Sequence, residues 1–214
     1  MNLQMTLTSM ALLGAEWVMW LLVALSIGAL AVIVERSLYF VSSRENMPRL
    51  TANMVDLLRR GQADVARKRL QESPGLEARV AAAGLEADLD GASERMDAER
   101  LRVKLLMDRN LAFLGTLGNN APFVGLLGTV IGVVGAFSEL AQGGAQVSAG
   151  LMAEIGEALV VTGLGLVVAL PAVASFNLFQ RVIRTRLERA DALAAQVLAH
   201  LKASQSHQPL SGRA

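Results

Sequence analysis

The placement of ionisable residues constrains this chain more than any other feature of its sequence. Three runs contain no ionisable side chain: residues 17–34, 110–138 and 158–180. A helix needs roughly 20 apolar residues to cross the hydrocarbon core of a bilayer, and each run approaches or exceeds that length. Charged residues make up only 18% of the chain, against about 25% in an average soluble domain. The sequence therefore predicts an all-α membrane protein with three transmembrane helices.

The basic residues predict the orientation of these helices. All 20 Lys and Arg residues lie in residues 35–109 or 181–214, and segments rich in Lys and Arg stay on the cytoplasmic side of the inner membrane. The segment between the second and third runs instead contains Glu139, Glu154 and Glu157. We therefore expect an outer N-terminus and a cytoplasmic C-terminus. No Lys or Arg precedes the first run, which is atypical of a cleaved signal peptide, so we expect that run to remain as a span.

Charge and turn residues divide the chain into eight predicted segments. They are an outer (periplasmic) segment 1–16, a transmembrane helix 17–35, a cytoplasmic helical region 36–109, a transmembrane helix 110–140, a short periplasmic loop 141–156, a transmembrane helix 157–180, a cytoplasmic helix 181–203, and a disordered tail 204–214.

The cytoplasmic region is predicted to consist of several helices. Gly61 and the turn Ser73-Pro74-Gly75 separate them, and Ser93 is the predicted N-cap of a charged helix. That helix has no predicted break before Gly115, Gly118 and Pro122, and Pro122 is expected to kink or loosen the helix near the inner membrane face. The second span, like the third, therefore extends into a cytoplasmic helical stalk. Large apolar residues are few here, and we expect the helices to pack on one another without a core of their own. Acidic residues are mixed with the basic ones, so nucleic acid is not an expected partner.

Small residues recur at steps of three and four along the second and third spans. Such stripes allow close contact between helix backbones in lipid, where apolar burial gives little drive. They fit packing of the second span on the third within one chain, packing between subunits, or both. The stripe on the second span contains Ala121, Gly125, Gly128, Gly132 and Gly135. The stripe on the third span contains Ala158, Thr162, Gly165, Ala169 and Ala172.

Each stripe has one threonine in or beside it. Thr162 belongs to the stripe on the third span, and Thr129 lies next to Gly128 in the stripe on the second span. The simplest role of a membrane threonine is a hydrogen bond to the carbonyl four residues earlier in its own helix. Two hydroxyls also make a polar path, but proton relays in membranes use Asp, Glu or His. The apolar runs contain none of these, and Glu157 is the nearest acid, at the outer end of the third span. A proton-moving function therefore requires an acid from another chain.

Two segments resemble the ExbB/TolQ/MotA proton-channel family. Residues 120–130, Asn-Ala-Pro-Phe-Val-Gly-Leu-Leu-Gly-Thr-Val, followed by Gly132, resemble the signature of its second span. Residues 155–162, Ile-Gly-Glu-Ala-Leu-Val-Val-Thr, then Gly165-Leu166, Pro171-Ala172 and Asn177, resemble that of its third span. The resemblance covers roughly residues 110–180 and favours the three-span ExbB/TolQ branch, because MotA-like members have four spans.

The resemblance implies a pentamer of this chain around two copies of a single-span partner similar to ExbD or TolR. In that family the partner's span carries the proton-binding Asp, the residues matching Thr129 and Thr162 face it, and the residue matching Glu157 lies near the proton entry side. Proton flow then drives work on the envelope through a TonB-like, TolA-like or motility partner. Ile131 stands where many relatives have Trp, and Phe176 stands where many have a Tyr before the Asn. The resemblance therefore does not distinguish among uptake, envelope maintenance and gliding as the process that is powered.

The alternative function is a purely structural oligomeric membrane scaffold that conducts no protons. An enzyme is not expected, because a nucleophile and base or a metal cluster would be needed within reach, and no span contains one. The chain has no Cys, and its two His residues, His200 and His207, are near the C-terminus, so we expect no metal site and no cofactor. A self-sufficient transporter is disfavoured by the absence of an inverted repeat or a buried charge in the spans.

Overall fold

The computed structural model describes residues 16–86, 89–143 and 149–206, and in these ranges all regular secondary structure is helical. The predicted segment 1–16 lies almost wholly outside the described residues, as do residues 207–214 of the predicted tail. The helices are α1 (Glu16–Ser42), α2 (Met47–Arg59), α3 (Ala63–Gln71), α4 (Leu76–Gly84), α5 (Leu89–Asp108), α6 (Leu111–Gly143) and α7 (Ala149–Ser206).

Three of these helices, α1, α6 and α7, are long and apolar enough to cross a membrane by length and composition. The predicted all-α membrane class is therefore confirmed. The helices also extend into the predicted loop 141–156 from both sides, since α6 ends at Gly143 and α7 begins at Ala149. Good helix formers near the start of α7, such as Met152 and Ala153, favour this continuation of the helix.

The chain divides into two compact units. Among the described residues, the apolar unit comprises residues up to 35 and residues 110–178, so it holds the first two apolar runs and all but the last two residues of the third. The charged unit comprises residues 36–109 and 179–214. Large apolar side chains cover much of the outer surface of the apolar unit, as expected of helices that face lipid: Ile27, Leu30, Phe123, Phe137, Leu159 and Leu170 are all exposed.

The charged unit has a core of its own, so the expectation that it lacks one is wrong. Its buried large residues alternate with buried alanines, which let the helices approach closely enough for a few Leu, Met and Val side chains to fill the interior. The buried large residues include Leu50, Met54, Leu58, Leu70, Val80, Val103, Met107, Leu193 and Val197, and the buried alanines are Ala66, Ala78, Ala81, Ala82, Ala92 and Ala190.

A buried arginine fixes the end of α1 within the charged unit. Nη2 of Arg186 donates to the carbonyl of Phe40 at 2.7 Å, and Nη1 donates to Oγ of Ser43 at 2.8 Å and to its carbonyl at 3.3 Å. These groups satisfy carbonyls at a helix C-terminus, which have no partner within the helix. The carboxylate of Glu77, itself buried, lies 3.9 Å from Nε of Arg186. The pair joins α1, α4 and α7.

The helix breaks agree with the sequence prediction in part. Gly61, with a φ of +73°, separates α2 from α3, and residues 73–75 lie between α3 and α4 as expected. Ser93 is not an N-cap, because α5 already begins at Leu89. The expected continuity from the charged helix to Gly115 is also wrong: the break falls at Asn110, whose φ is 62°. Asn tolerates this left-handed conformation better than most residues.

Candidate functional site

The second and third spans, α6 and α7, cross at their small residues. A methyl group on Gly125 would lie 3.1 Å from Cα of Thr162, and one on Gly165 would lie 2.7 Å from the carbonyl oxygen of Ala121. At Gly132 the same methyl would lie 2.6 Å from Cβ of Ala158. Backbone therefore lies against backbone at Gly125 and Gly165, and the two stripes pack on each other within a single chain.

The crossing extends further than the predicted stripes. A methyl on Gly118 would lie 2.5 Å from Cγ2 of Val173, and one on Gly115 would lie 3.2 Å from the ring of Phe176. Sequence reasoning treated Gly115, Gly118 and Pro122 as helix breaks, but α6 continues through all three. The signal that could have identified Gly118 is its position three residues before Ala121, which continues the same stripe.

The two predicted threonines meet at this crossing. The hydroxyls of Thr129 and Thr162 are hydrogen-bonded to each other. The Thr162 hydroxyl also lies 3.0 Å from the carbonyl oxygen of Gly125, and the Thr129 hydroxyl lies 3.4 Å from the carbonyl oxygens of Gly125 and Ala158. The pairing between helices goes beyond the simple bond of each threonine to its own helix. Both side chains are only half-buried, so one edge of the pair is open.

The open edge of the threonine pair has a defined chemistry. A hydroxyl can donate one hydrogen bond and accept two. The two protons of the pair serve the bond between the hydroxyls and a bond to a backbone carbonyl. The pair can therefore accept a hydrogen bond from a neutral carboxyl group, and a hydroxyl that turns away from its carbonyl can donate to a carboxylate. Neither hydroxyl stores a proton at neutral pH, and none of the three apolar runs contains an Asp, Glu or His. The site can therefore position and solvate a proton carrier but cannot serve as one.

The other predicted site residues are distributed along the same two helices. Glu157 is exposed and, within the described ranges, is not hydrogen-bonded to either threonine. Gly128 is buried against Val161, and Ala169 is buried as well. Gly135 is half-buried and Pro171 is exposed within α7. The structure thus brings the threonines and most of the small residues together, and leaves Glu157 and Pro171 at the surface.

Three helices long and apolar enough to cross a membrane, two of them packed at their glycines around a threonine pair, define an all-α multi-pass membrane protein. Residues 63–192, more than half of the chain, match the model of the MotA/TolQ/ExbB proton channel family. The chain belongs to this family, as its resemblance predicted.

Several curated bacterial proteins are similar to this chain. The ExbB-like 2 biopolymer transport protein of Helicobacter pylori is 33% identical over 122 residues, which cover 56% of this chain and 78% of that protein. The biopolymer transport protein ExbB of Salmonella typhimurium is 38% identical over 133 residues, 58% of this chain and 54% of that protein. ExbB of Xanthomonas campestris is 43% identical over 89 residues, 41% and 35% respectively. The match spans about half or less of the two ExbB proteins.

Proposed function

We propose that this chain is the proton-channel scaffold subunit of an inner-membrane motor that converts proton-motive force into mechanical work on the cell envelope. The observation that carries the proposal is the pair formed by Thr129 and Thr162, two hydroxyls held together at the crossing of two spans with one edge open. Membership of a proton-channel family supports the same conclusion.

The absence of an acid from the apolar runs determines what the complex must contain. A proton crossing the membrane needs an Asp, Glu or His as carrier, and this chain offers only hydroxyls beside the pair. The carrier is a carboxyl on the span of a partner chain similar to ExbD or TolR, present in two copies inside a pentamer of this chain. The open edge of the threonine pair faces that carboxyl and accepts a hydrogen bond from its neutral form. It donates to the charged form when one hydroxyl turns away from the Gly125 carbonyl.

The orientation follows from the charges. The Lys and Arg residues of the charged unit face the cytoplasm and the N-terminus lies in the periplasm, in agreement with the positive-inside rule. Exposed Glu157 precedes the third apolar run at its outer end, where it raises the local proton concentration at the entry side. The process that the motor powers is TonB-type uptake, Tol-type envelope maintenance or gliding, and a further envelope partner transmits the force to it.

The test compares two substitutions at one position. Thr162→Val keeps the shape of the side chain and removes the hydroxyl, whereas Thr162→Ser keeps the hydroxyl. We expect Thr162→Val to reduce proton uptake into vesicles containing this chain and its acidic partner by on the order of tenfold or more, because a hydrogen bond to a charged group contributes about 1.5–3 kcal/mol. Thr162→Ser is expected to retain most of the uptake.

The outcome separates the motor from the structural scaffold. Thr129→Val provides a second removal of a hydroxyl from the same pair, and the native mass of each variant complex shows whether assembly is intact. Wild-type proton uptake in both valine variants would reject the assignment of the pair to the proton path. Absence of proton uptake in the assembled wild-type complex would favour the scaffold.

A further inference from the structure

Asn119 is an exposed amide inside an apolar run. It lies in α6, within the run 110–138 that contains no ionisable side chain. None of the side-chain hydrogen bonds among the described residues involves it. An amide without a partner is costly in hydrocarbon, so this side chain requires water or another polar group beside it.

Asn119 lies on the same flank of α6 as Thr129. Gly125 faces α7, and successive residues of an α-helix turn by about 100° around its axis. From Gly125, Thr129 turns by about 40° and Asn119 by about 120° in one direction. Gly128 turns by about 60° in the other direction, and it lies against Val18 of α1. Asn119 therefore lies on the flank that α1 does not cover.

Asn177 has the matching position on α7. Gly165 faces α6, and from it Thr162 turns by about 60° and Asn177 by about 120° in one direction. Val161 and Val168 turn in the opposite direction and are buried, whereas Asn177 is exposed. Because the two threonines are hydrogen-bonded to each other, the flanks that contain them form one side of the crossing, which we call the open flank.

Both asparagines lie on the cytoplasmic side of the threonine pair in the proposed orientation. A helix rises by about 1.5 Å per residue. Asn119 precedes Thr129 by ten residues, so it lies about 15 Å from it along the axis. Asn177 follows Thr162 by fifteen residues, a separation of about 22 Å. The inner half of the open flank therefore carries a polar group from each helix.

Two leucines separate the threonine pair from these amides. Leu126 precedes Thr129 by three residues, and Leu166 follows Thr162 by four, and both turn by about 100° toward the open flank. They are 53% and 49% exposed. Large apolar side chains at this level exclude water, so the polar groups of the open flank fall into two separate sets.

Pro122 adds an acceptor beside Asn119. Proline has no N–H, so the carbonyl of Gly118 lacks the donor that residue 122 would supply in a regular helix. Neighbouring polar groups or ordered water satisfy such carbonyls in membrane helices. The side-chain amide of Asn119 supplies two N–H donors and one acceptor. Together these groups form a set of donors and acceptors that suits water.

We propose that Asn119 and Asn177 line a water-filled vestibule that opens to the cytoplasm and receives protons from the threonine pair. The proposal rests on the proposed function and names the exit side of its proton path. Leu126 and Leu166 keep the water away while the partner's carboxyl is bound at the pair. When that carboxyl moves past the leucines it gives its proton to the water, and a carboxylate remains. The amides orient the water and store no proton.

Asn120 provides a contrast within the same helix. Its amide donates to the carbonyl of Thr116 at 2.7 Å, so part of its hydrogen-bonding capacity is satisfied within α6. From Gly125 it turns by about 140° in the direction of Gly128, away from the open flank. Two adjacent asparagines of equal size and polarity therefore face different surroundings, and only Asn119 is expected to meet the vestibule.

The absence of cysteine from the sequence allows water to be detected at each position. Asn119→Cys, Asn177→Cys and the control Asn120→Cys are each expressed with the acidic partner, and inverted membrane vesicles are treated with a charged methanethiosulfonate. The reacting species is the thiolate, which forms in water and not in lipid. We expect the first two cysteines to react about tenfold faster than the control. Equal rates at positions 119 and 120 would overturn the vestibule.

Proton uptake tests whether the vestibule serves the path. Asn119→Leu removes the amide, and we expect it to reduce uptake about fivefold, the effect of losing one ordinary hydrogen bond. Asn119→Ser keeps a polar group and should retain most of the uptake, and Asn120→Leu should leave it unchanged. The native mass of each variant complex shows that assembly is intact. Wild-type uptake in an assembled Asn119→Leu complex would overturn the role of Asn119.

The cysteine reaction and the proton assay fail independently. An unreactive cysteine at position 119 in a complex with normal proton uptake would overturn the vestibule and leave the proposed function intact, because it would place lipid or another chain against Asn119. A reactive cysteine at position 119 in an assembled complex that takes up no protons would uphold the water-filled flank and reject the motor.

Discussion

Arg186 is the residue whose removal should damage the charged unit most. It is buried, it donates to two carbonyls and a hydroxyl at the end of α1, and its nearest charge is buried Glu77. Oε2 of Glu77 has no hydrogen-bond partner among the described residues. A buried pair of this kind adds little net stability when it is intact but costs about 3–5 kcal/mol when one partner is lost.

We expect Arg186→Met to lower the stability of the chain by about 3–5 kcal/mol, as measured by SDS titration of the helical signal in mild detergent. Adding Glu77→Leu should restore part of the loss, because the uncompensated carboxylate is then absent from the interior. Arg184→Met, an exposed arginine on the same helix, is the matched control and should change little. A double variant as unstable as Arg186→Met would show that the lost carbonyl partners, and not the stranded charge, carry the cost.

The pairing of Thr129 with Thr162 and the burial of Arg186 differ in how far the sequence predicts them. The threonines stand in or beside regular stripes of small residues, so their faces follow from helical periodicity. Arg186 lies three residues after Ile183 and four before Ala190, both buried, so helical periodicity places it at the edge of the inward face of α7. No local pattern predicts its hydrogen-bond partners. Its partners, Phe40 and Glu77, are distant in the sequence, and only tertiary packing brings them together.

At the scale of elements, the sequence predicted what local patterns govern. Charge-free runs predicted the three long apolar helices, and Gly61 predicted a break because its φ of +73° suits glycine. Predictions from local sequence failed where contacts with a neighbouring helix determine the backbone conformation. Glycine and proline in α6 indicated breaks, yet Gly115 and Gly118 are needed for contact with Phe176 and Val173, and packing keeps the helix continuous.

The crossing of α6 and α7 gives a prediction for two glycines. Gly132→Leu should destabilise the folded chain by about 1–3 kcal/mol or more, because even a Cβ there would lie 2.6 Å from Cβ of Ala158. Gly163→Leu on α7 is the matched control, since a Cβ at that position meets nothing within 4 Å in the chain. Thermal unfolding of the monomer in detergent measures both. Equal stability of the two variants would contradict the packing of the spans through small residues.

At the scale of the whole molecule, the threonine pair calls for another chain. Its two hydroxyls are half-buried at the crossing of α6 and α7, but the three apolar runs contain no Asp, Glu or His. A proton-moving complex therefore requires a partner that supplies a carboxyl group.

The composition of the native complex is the decisive measurement at this scale. We expect extraction in mild detergent followed by native mass determination to find five copies of the 22.7-kDa chain with two copies of a small single-span protein that has an Asp in its span. Dissociation of the complex on the mass instrument then identifies each subunit. A ring of this chain alone would leave it without a proton carrier, and the structural scaffold would then account for the molecule better than the motor.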